Sequence, residues 1–298
     1  MSATMSDWLE GARARTLPAS VSPVFAGTGV AISMGGVNWG RAALALLIAL
    51  CFQVGVNFAN DYSDGIRGTD DVRMGPPRLT GGGLVPPDVV RSVAFAFFAL
   101  GCVFGLWLVA LCGHWWLIVI GILCLPAAWY YTGGEHPYGY MGLGEVFVFI
   151  FFGLVATAGT TYTQADGVAW TGWLMACAMG LIACAILMVN NIRDIPGDSQ
   201  SGKHTLAVRL GDRRARASYG LAIGTAFILS ACCIGVIGWW WILFVVSLAL
   251  AVSCVRDVLG NGGRALTGKA LIPVLRNTGF VELGFGLAAL ATFGLATL

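Results

Sequence analysis

Long apolar runs, each close to the ~20 residues that a bilayer-crossing helix requires, alternate along this chain with short polar breaks. They fall at 17–35, 41–60, 92–112, 115–132, 145–162, 171–192, 216–236, 238–255 and 273–297. The pattern predicts an all-α, polytopic membrane bundle of about nine transmembrane helices. Its weakest break is at 236–240. There Gly238, followed by Trp239, Trp240 and Trp241, reads either as a turn with an interfacial aromatic belt or as a continuing helix.

Composition agrees with the pattern. Of 298 residues, 57% are hydrophobic and 11% charged, with a mean hydropathy of +0.80. That is too apolar for a water-soluble domain, and a net charge of +2 offers no footprint for nucleic acid. If the N-terminus is cytoplasmic, 16 of the 17 Lys and Arg residues fall on the cytoplasmic side and only Arg41 falls outside, as the positive-inside rule requires. The first apolar run follows Arg13 and Arg15 and contains Pro18 and Pro23. It reads as a retained helix rather than a cleaved signal. The nine cysteines form no CxxC pair or His-Cys cluster, so neither zinc nor a disulfide framework is favoured.

In so apolar a chain, charge is informative where it concentrates. Of 15 Asp and Glu residues, six fall in two short segments at span ends: NFANDYSDGIRGTDD, with Asp61, Asp64, Asp70 and Asp71, and NNIRDIPGDSQSGK, with Asp194 and Asp198. Setting Asp64 on Asp194 puts Asn60 on Asn190 and Asp61 on Asn191, an offset of 130 residues. The echo predicts two related halves, about 13–140 and 141–298, within one domain spanning 1–298. An acid at bilayer depth costs about 2.5–3.5 kcal/mol on insertion scales, so these residues demand a partner or water. Grouped carboxylates can hold Mg²⁺, which typically binds through one or two carboxylates together with substrate phosphates. Arg78, Lys203 and Arg209 are candidate donors to such a phosphate. The bland alternative pairs Asp64 and Asp70 with Arg67 and Arg73 as surface ion pairs, which contribute little.

Three loops are expected to cap one mouth of the bundle. The first runs from Asp61 to Val90 and carries GPPRLTGGGLVPP; the second runs from Arg193 to Arg216; the third, YYTGGEHPYGYMGLGE, has no Lys or Arg. Loops of such length in a compact protein are usually functional or disordered.

The two acidic motifs, the opening RARTLPASVSPVFAGTG and the central YTGGEHPYGYMGLGEVFVFIFFGLVATAGTTY resemble the UbiA superfamily of intramembrane aromatic prenyltransferases. The resemblance runs from Arg13 to about Gly211, with weaker support from LIPVLRNTG onward. The acidic motifs point to the superfamily; the opening and YGYMGLGE resemble its 1,4-dihydroxy-2-naphthoate branch in menaquinone biosynthesis. The resemblance implies transfer of a polyprenyl group from a polyprenyl diphosphate to that acid, with loss of CO₂ and diphosphate and with Mg²⁺ as cofactor, in a bacterial plasma membrane. It implies that Asp61, Asp64, Asp70, Asp194 and Asp198 hold metal, with Asp61, Asp64, Asp194 and Asp198 catalytic. It places Asn57 and Lys203 at the diphosphate; by charge and position Arg67, Arg78 and Arg209 are further candidates there, and Arg15, Tyr138 and Tyr140 are candidates at the aromatic acceptor. Tyr62 and Phe152 are further aromatic faces that a cation could meet. One departure is Glu135-His136, where the family pattern has a smaller, uncharged turn.

Two other classes are weighed. A cation transporter would use carboxylates near the midplane, whereas these clusters sit at span ends on one side. A CDP-alcohol phosphotransferase needs Ala-Arg soon after Asp-Gly, and here Asp64-Gly65 is followed by Ile66-Arg67-Gly68-Thr69.

Overall fold

The computed structural model describes residues 3–68, 78–260 and 265–298; the sequence expectations for Asp70, Asp71 and Arg73 lie outside them. Helices run in the order α1 (Met5–Gly11), α2 (Leu17–Ser33), α3 (Trp39–Ile66), α4 (Pro87–Cys112), α5 (Leu117–Tyr130), α6 (Gly144–Ala165), α7 (Trp170–Gln200), α8 (Leu206–Leu210), α9 (Asp212–Cys232), α10 (Ile234–Leu259) and α11 (Gly268–Leu295). Among the described residues seven of these, α3, α4, α6, α7, α9, α10 and α11, are long and apolar enough to cross a membrane. The expected count was nine. The other two apolar segments, α2 and α5, are shorter, at 17 and 14 residues. α5 is shortened at both ends, because Trp115 and Trp116 form a turn before it and Tyr131 begins the next turn. The chain nonetheless turns between α9 and α10, with the break at Cys233, ahead of Gly238.

Burial separates central helices from lipid-facing ones. In the apolar window of α7, 61% of residues are buried, and in α11 56%, against 28% in α4 and α10. A helix that buries most of its circumference must be surrounded by others, so α7 and α11 form the centre. α9 and α6 pack on α7, α2 packs along α11, and α3 pairs with α4. Met175, Met179 and Ile182 of α7 meet Tyr219 and Phe227 of α9 and Phe285 and Phe293 of α11 in the main core. Exposed Val103, Leu106, Trp107, Ile122, Val246 and similar side chains face the hydrocarbon, where exposure carries no penalty.

Small residues permit the central crossing. A Cβ on Gly286 of α11 would lie 2.6 Å from the Ser22 carbonyl oxygen of α2, closer than any real contact, so this crossing requires glycine. Phe149–Ala158 within α6 winds as a π-helix, rare at this length. Just before it, the Cys184 thiol of α7 donates to the Glu145 carbonyl at 3.1 Å.

The single expected exception to the charge pattern also has a local reason. At the bundle end away from the acidic motifs, Arg41 donates to the carbonyls of Leu111 at 2.7 Å and Thr163 at 3.0 Å. These are carbonyls at the C-terminal ends of α4 and α6, where a cation meets the negative pole of the helix.

Candidate active site

α3 and α7 both end in acidic turns at the same end of the bundle, and the two turns line one cavity of about 530 Å³. Asp64 from α3 and Asp194 and Asp198 from α7 reach it, along with Arg13, Arg193, Lys203, Arg216, Tyr131 and Tyr140. The three loops expected to cap a mouth do meet here. His204 N–H donates to the Tyr140 carbonyl at 2.9 Å and Gly139 N–H to the Tyr131 carbonyl at 3.0 Å, while Arg67 donates to the carbonyls of Thr132 and Gly134.

Asp64 is buried, and its carboxylate accepts from the Tyr140 hydroxyl. Lys203 stands 3.4 Å from the same oxygen and 4.4 Å from the centre of the Tyr140 ring, a cation–π distance. Burial works against the charge on Lys203, but Asp64, Tyr140 and Asp198 outweigh it and hold the ammonium above the ordinary lysine range. Lys203 therefore stays charged at neutral pH. Asp194 is gripped through both oxygens by its neighbour Arg193, with Nε at 2.7 Å from Oδ1, and Arg193 also donates to Asn190 Oδ1 at 3.0 Å.

Several expected site residues are placed elsewhere. Asp61 has no exposed surface and accepts from the backbone N–H groups of Leu79 at 3.1 Å and Thr80 at 2.8 Å. It anchors the turn that begins at Arg78, itself buried, and neither residue lines the cavity. Asn57 donates to the Ala12 carbonyl at 2.8 Å and to the Thr16 hydroxyl at 3.1 Å, so it fastens α3 to the N-terminal segment. Arg67 spends its donors on the capping loop, as above. Arg209 donates to the His204 carbonyl at 3.1 Å and packs against Gly142. The Tyr138 hydroxyl donates to the Ala127 carbonyl at 2.6 Å and its ring stacks on Phe147 at 3.9 Å. Tyr62 stacks on Trp129. The side chain of Arg15 lies outside what the structure describes. Glu135 and His136 are exposed at the tip of a turn, so the departure there leaves the cavity wall untouched.

Other residues were overlooked in the sequence. Arg13, Arg193 and Arg216 line the cavity but had been counted only as topology charges; the signal was that Arg193 adjoins Asp194. Glu145, 8% exposed, accepts from Asn191 Nδ2 at 3.2 Å. Glu282, midway along α11, is fully buried, and neither of its carboxyl oxygens has a hydrogen-bond partner among the described residues.

The donor set can be tested against a divalent cation. Among the described residues no three His, Cys, Asp or Glu side chains form a ready-made metal cluster. Mg²⁺ does not need one, since it usually keeps water or phosphate in most of its coordination positions. Hard carboxylate oxygens from two facing helices, now held by Lys203 and Arg193, fit a cation that binds together with a phosphate.

Known proteins agree with this geometry. The chain is 46% identical over 286 residues, 96% of each chain, to a 1,4-dihydroxy-2-naphthoate octaprenyltransferase of Mycobacterium tuberculosis (strain ATCC 25618 / H37Rv). It is 36% identical to the protein of the same name in Escherichia coli (strain K12), over 91% of this chain and 89% of that one. Its fold is similar to that of a UbiA homolog from Archaeoglobus fulgidus bound to DMAPP and Mg²⁺, with a TM-score of 0.63 and 15% identity over 97% of this chain and 99% of that chain. The UbiA prenyltransferase family model matches residues 20–261, and this multi-pass membrane protein belongs to that family.

Proposed function

We propose that this chain transfers a polyprenyl group from a polyprenyl diphosphate to 1,4-dihydroxy-2-naphthoate, releasing diphosphate and CO₂ and giving a demethylmenaquinol, the reduced form of demethylmenaquinone. The observation that carries the acceptor choice is near-complete coverage at 46% identity by a relative bearing that name. The cavity supports the donor choice, since acidic Asp64, Asp194 and Asp198 and basic Arg193 and Lys203 line it together.

Asp64, Asp194 and Asp198 are the residues that would hold Mg²⁺ in this reading. When bound, Mg²⁺ supplies Lewis-acid charge that stabilises the departing diphosphate. Lys203 and Arg193 then turn from the carboxylates to the phosphate oxygens, adding fixed positive charge where negative charge develops. The C1–O bond of the prenyl donor breaks, and the ring carbon bearing the carboxylate bonds to C1. The ring-to-carboxylate bond then breaks, its electron pair returns to the ring, and CO₂ leaves. No proton is removed from the reacting carbon, so no general base is required beside it. The Tyr140 ring, already facing Lys203 and Arg67, offers π-density to the allylic cation.

The defining test uses 1,4-dihydroxy-2-naphthoate labelled in its carboxyl carbon, with purified protein, Mg²⁺ and a polyprenyl diphosphate. Label leaving as CO₂ in one-to-one proportion with diphosphate, and an unlabelled prenylated lipid, are expected. Retention of label in a prenylated acid would sink the decarboxylative reading.

The same reading places the site on the cytoplasmic face of a bacterial plasma membrane, supported by the 16 Lys and Arg residues on one side. In a cysteine-free background, a cysteine at Ser199 is expected to react with impermeant maleimide only after cells are opened. One at Asp166 is expected to react in intact cells with a permeabilised outer envelope. The reverse labelling would invert the layout.

A further inference from the structure

On the outside of the bundle, at the end where the acidic mouth opens, α10 carries a second cavity, of about 400 Å³. Ala249, Val252, Ser253, Arg256 and Asp257 of α10 line it, and Gly260 and Leu266 close its end. Leu266 N–H donates to the Asp257 carbonyl at 3.3 Å, and the next two residues, Thr267 and Gly268, line the mouth. The second cavity therefore adjoins the active site but shares no lining residue with it.

Arg256 and Asp257 are both exposed, and among the described residues neither side chain makes a hydrogen bond or an ion pair. The acid is the odd one of the two. α10 ends at Leu259, and a carboxylate in the last turn of a helix meets the negative pole, where a cation is favoured instead. Deeper in the bilayer, Val252, Ala249 and Val246 continue the cavity as one exposed stripe along α10, at the spacing of a single helix face. From Arg256 to Val246 the helix rises about 15 Å at ~1.5 Å per residue, which is half of the ~30 Å hydrocarbon core. The stripe thus has the length of one leaflet, with a charged pair at its headgroup end.

We propose that this cavity holds the headgroup of a zwitterionic, amine-bearing phospholipid, with its phosphate on Arg256 and its ammonium on Asp257. The planar guanidinium suits phosphate oxygens, and the carboxylate accepts from the ammonium N–H groups. The Ser253 hydroxyl adds a donor beside the phosphate, and an acyl chain follows Val252, Ala249 and Val246. The pair also discriminates. An anionic glycerol headgroup would satisfy Arg256 but bring no cation to Asp257, and a choline headgroup has no N–H to donate to it.

The test incubates delipidated full-length protein in detergent with equal amounts of dioleoyl phosphatidylethanolamine, phosphatidylcholine and phosphatidylglycerol, whose chains are identical, and counts bound lipids by native mass spectrometry. Wild type is expected to retain the ethanolamine lipid about fivefold over each of the others, the upper end for one exposed ion pair. Asp257→Asn brings that ratio close to unity while lipid binding continues. Arg256→Gln lowers retention of all three lipids, and Arg256→Lys, which keeps the charge, recovers most of it. Arg276, an exposed arginine on α11 outside the cavity, is the control, and Arg276→Gln should leave the pattern unchanged. The headgroup ratio is read within each variant, so it does not depend on how much of that variant folds. Free O-phosphoethanolamine in large excess is expected to leave the lipid bound, because it lacks the chain that follows the stripe. No ethanolamine preference in wild type, or one that survives Asp257→Asn, overturns the inference. So does an equal loss of lipid in Arg276→Gln, which marks unspecific attraction to surface charge, or full displacement by O-phosphoethanolamine, which makes the cavity a site for a soluble phosphoamine.

Discussion

Asp64→Asn is expected to lower turnover by about 10²–10³-fold or more, the range seen when one preorganised group at a developing charge is removed, or about 2.7–4 kcal/mol of barrier. The fold should survive. The substituted amide keeps an oxygen that can accept from the Tyr140 hydroxyl and from Lys203 at 3.4 Å, and Lys203 keeps Asp198 as a nearby counter-charge, so no buried donor is orphaned. Asp194→Asn should behave alike, because it too exchanges a charged oxygen for a neutral group of equal size while Arg193 retains Asn190 as a partner. Two measurements check this: product formation, and Mg²⁺ affinity in the presence of diphosphate by calorimetry. Loss of both with an unchanged melting midpoint fits a shared metal-diphosphate site. Near-normal turnover of either variant at limiting Mg²⁺ would dismantle that site.

The carboxylates at the span ends were legible in the sequence because charge is scarce in an apolar chain and each acid must be accounted for. What each acid does was not. Asp61 and Asp64 are three residues apart in one motif, yet the first serves backbone donors 18 and 19 residues downstream and the second faces the cavity. No spacing rule reports where a chain returns after a glycine- and proline-rich stretch. Tyr138 and Tyr140 show the same limit. In the tight turn Tyr138–Met141 residues two apart point different ways, so one ring stacks in the scaffold and the other meets Asp64. The pairing of Glu145 with Asn191 spans 46 residues and depends on how α6 lies against α7. The π-helical stretch of α6 depends on the same packing, and its residues, FIFFGLVATA, read as an ordinary apolar run. Helix count was limited for a simpler reason. Hydropathy sees the length of an apolar run, not the point at which a turn at Trp115–Trp116 or Tyr131 takes residues away from the helix.

Asp61→Ala should damage stability more than any other single change at this end of the bundle. It orphans the buried backbone N–H of Leu79 and the part-buried one of Thr80, at about 1–3 kcal/mol for a fully buried donor and less for a part-buried one, so a loss of about 2–4 kcal/mol is expected. Asp61→Asn should fall between wild type and alanine, because an amide oxygen can accept from one N–H while its NH₂ faces the other. The turn that follows should loosen first: Leu79 is 1% exposed and packs with Phe58, Val90 and Phe98, and without its anchor that plug leaves its pocket. Trypsin should then cut after Arg78, which is buried in the native chain, much faster than in wild type. Melting midpoints in detergent and the rate of that cleavage measure the effect. Activity should fall as well, but as a consequence of the displaced turn, with Mg²⁺ affinity per folded molecule preserved. If Asp61→Ala instead melts and resists trypsin like wild type while losing Mg²⁺ binding, Asp61 is a metal ligand, as the motif first implied, and its bonds to Leu79 and Thr80 are incidental.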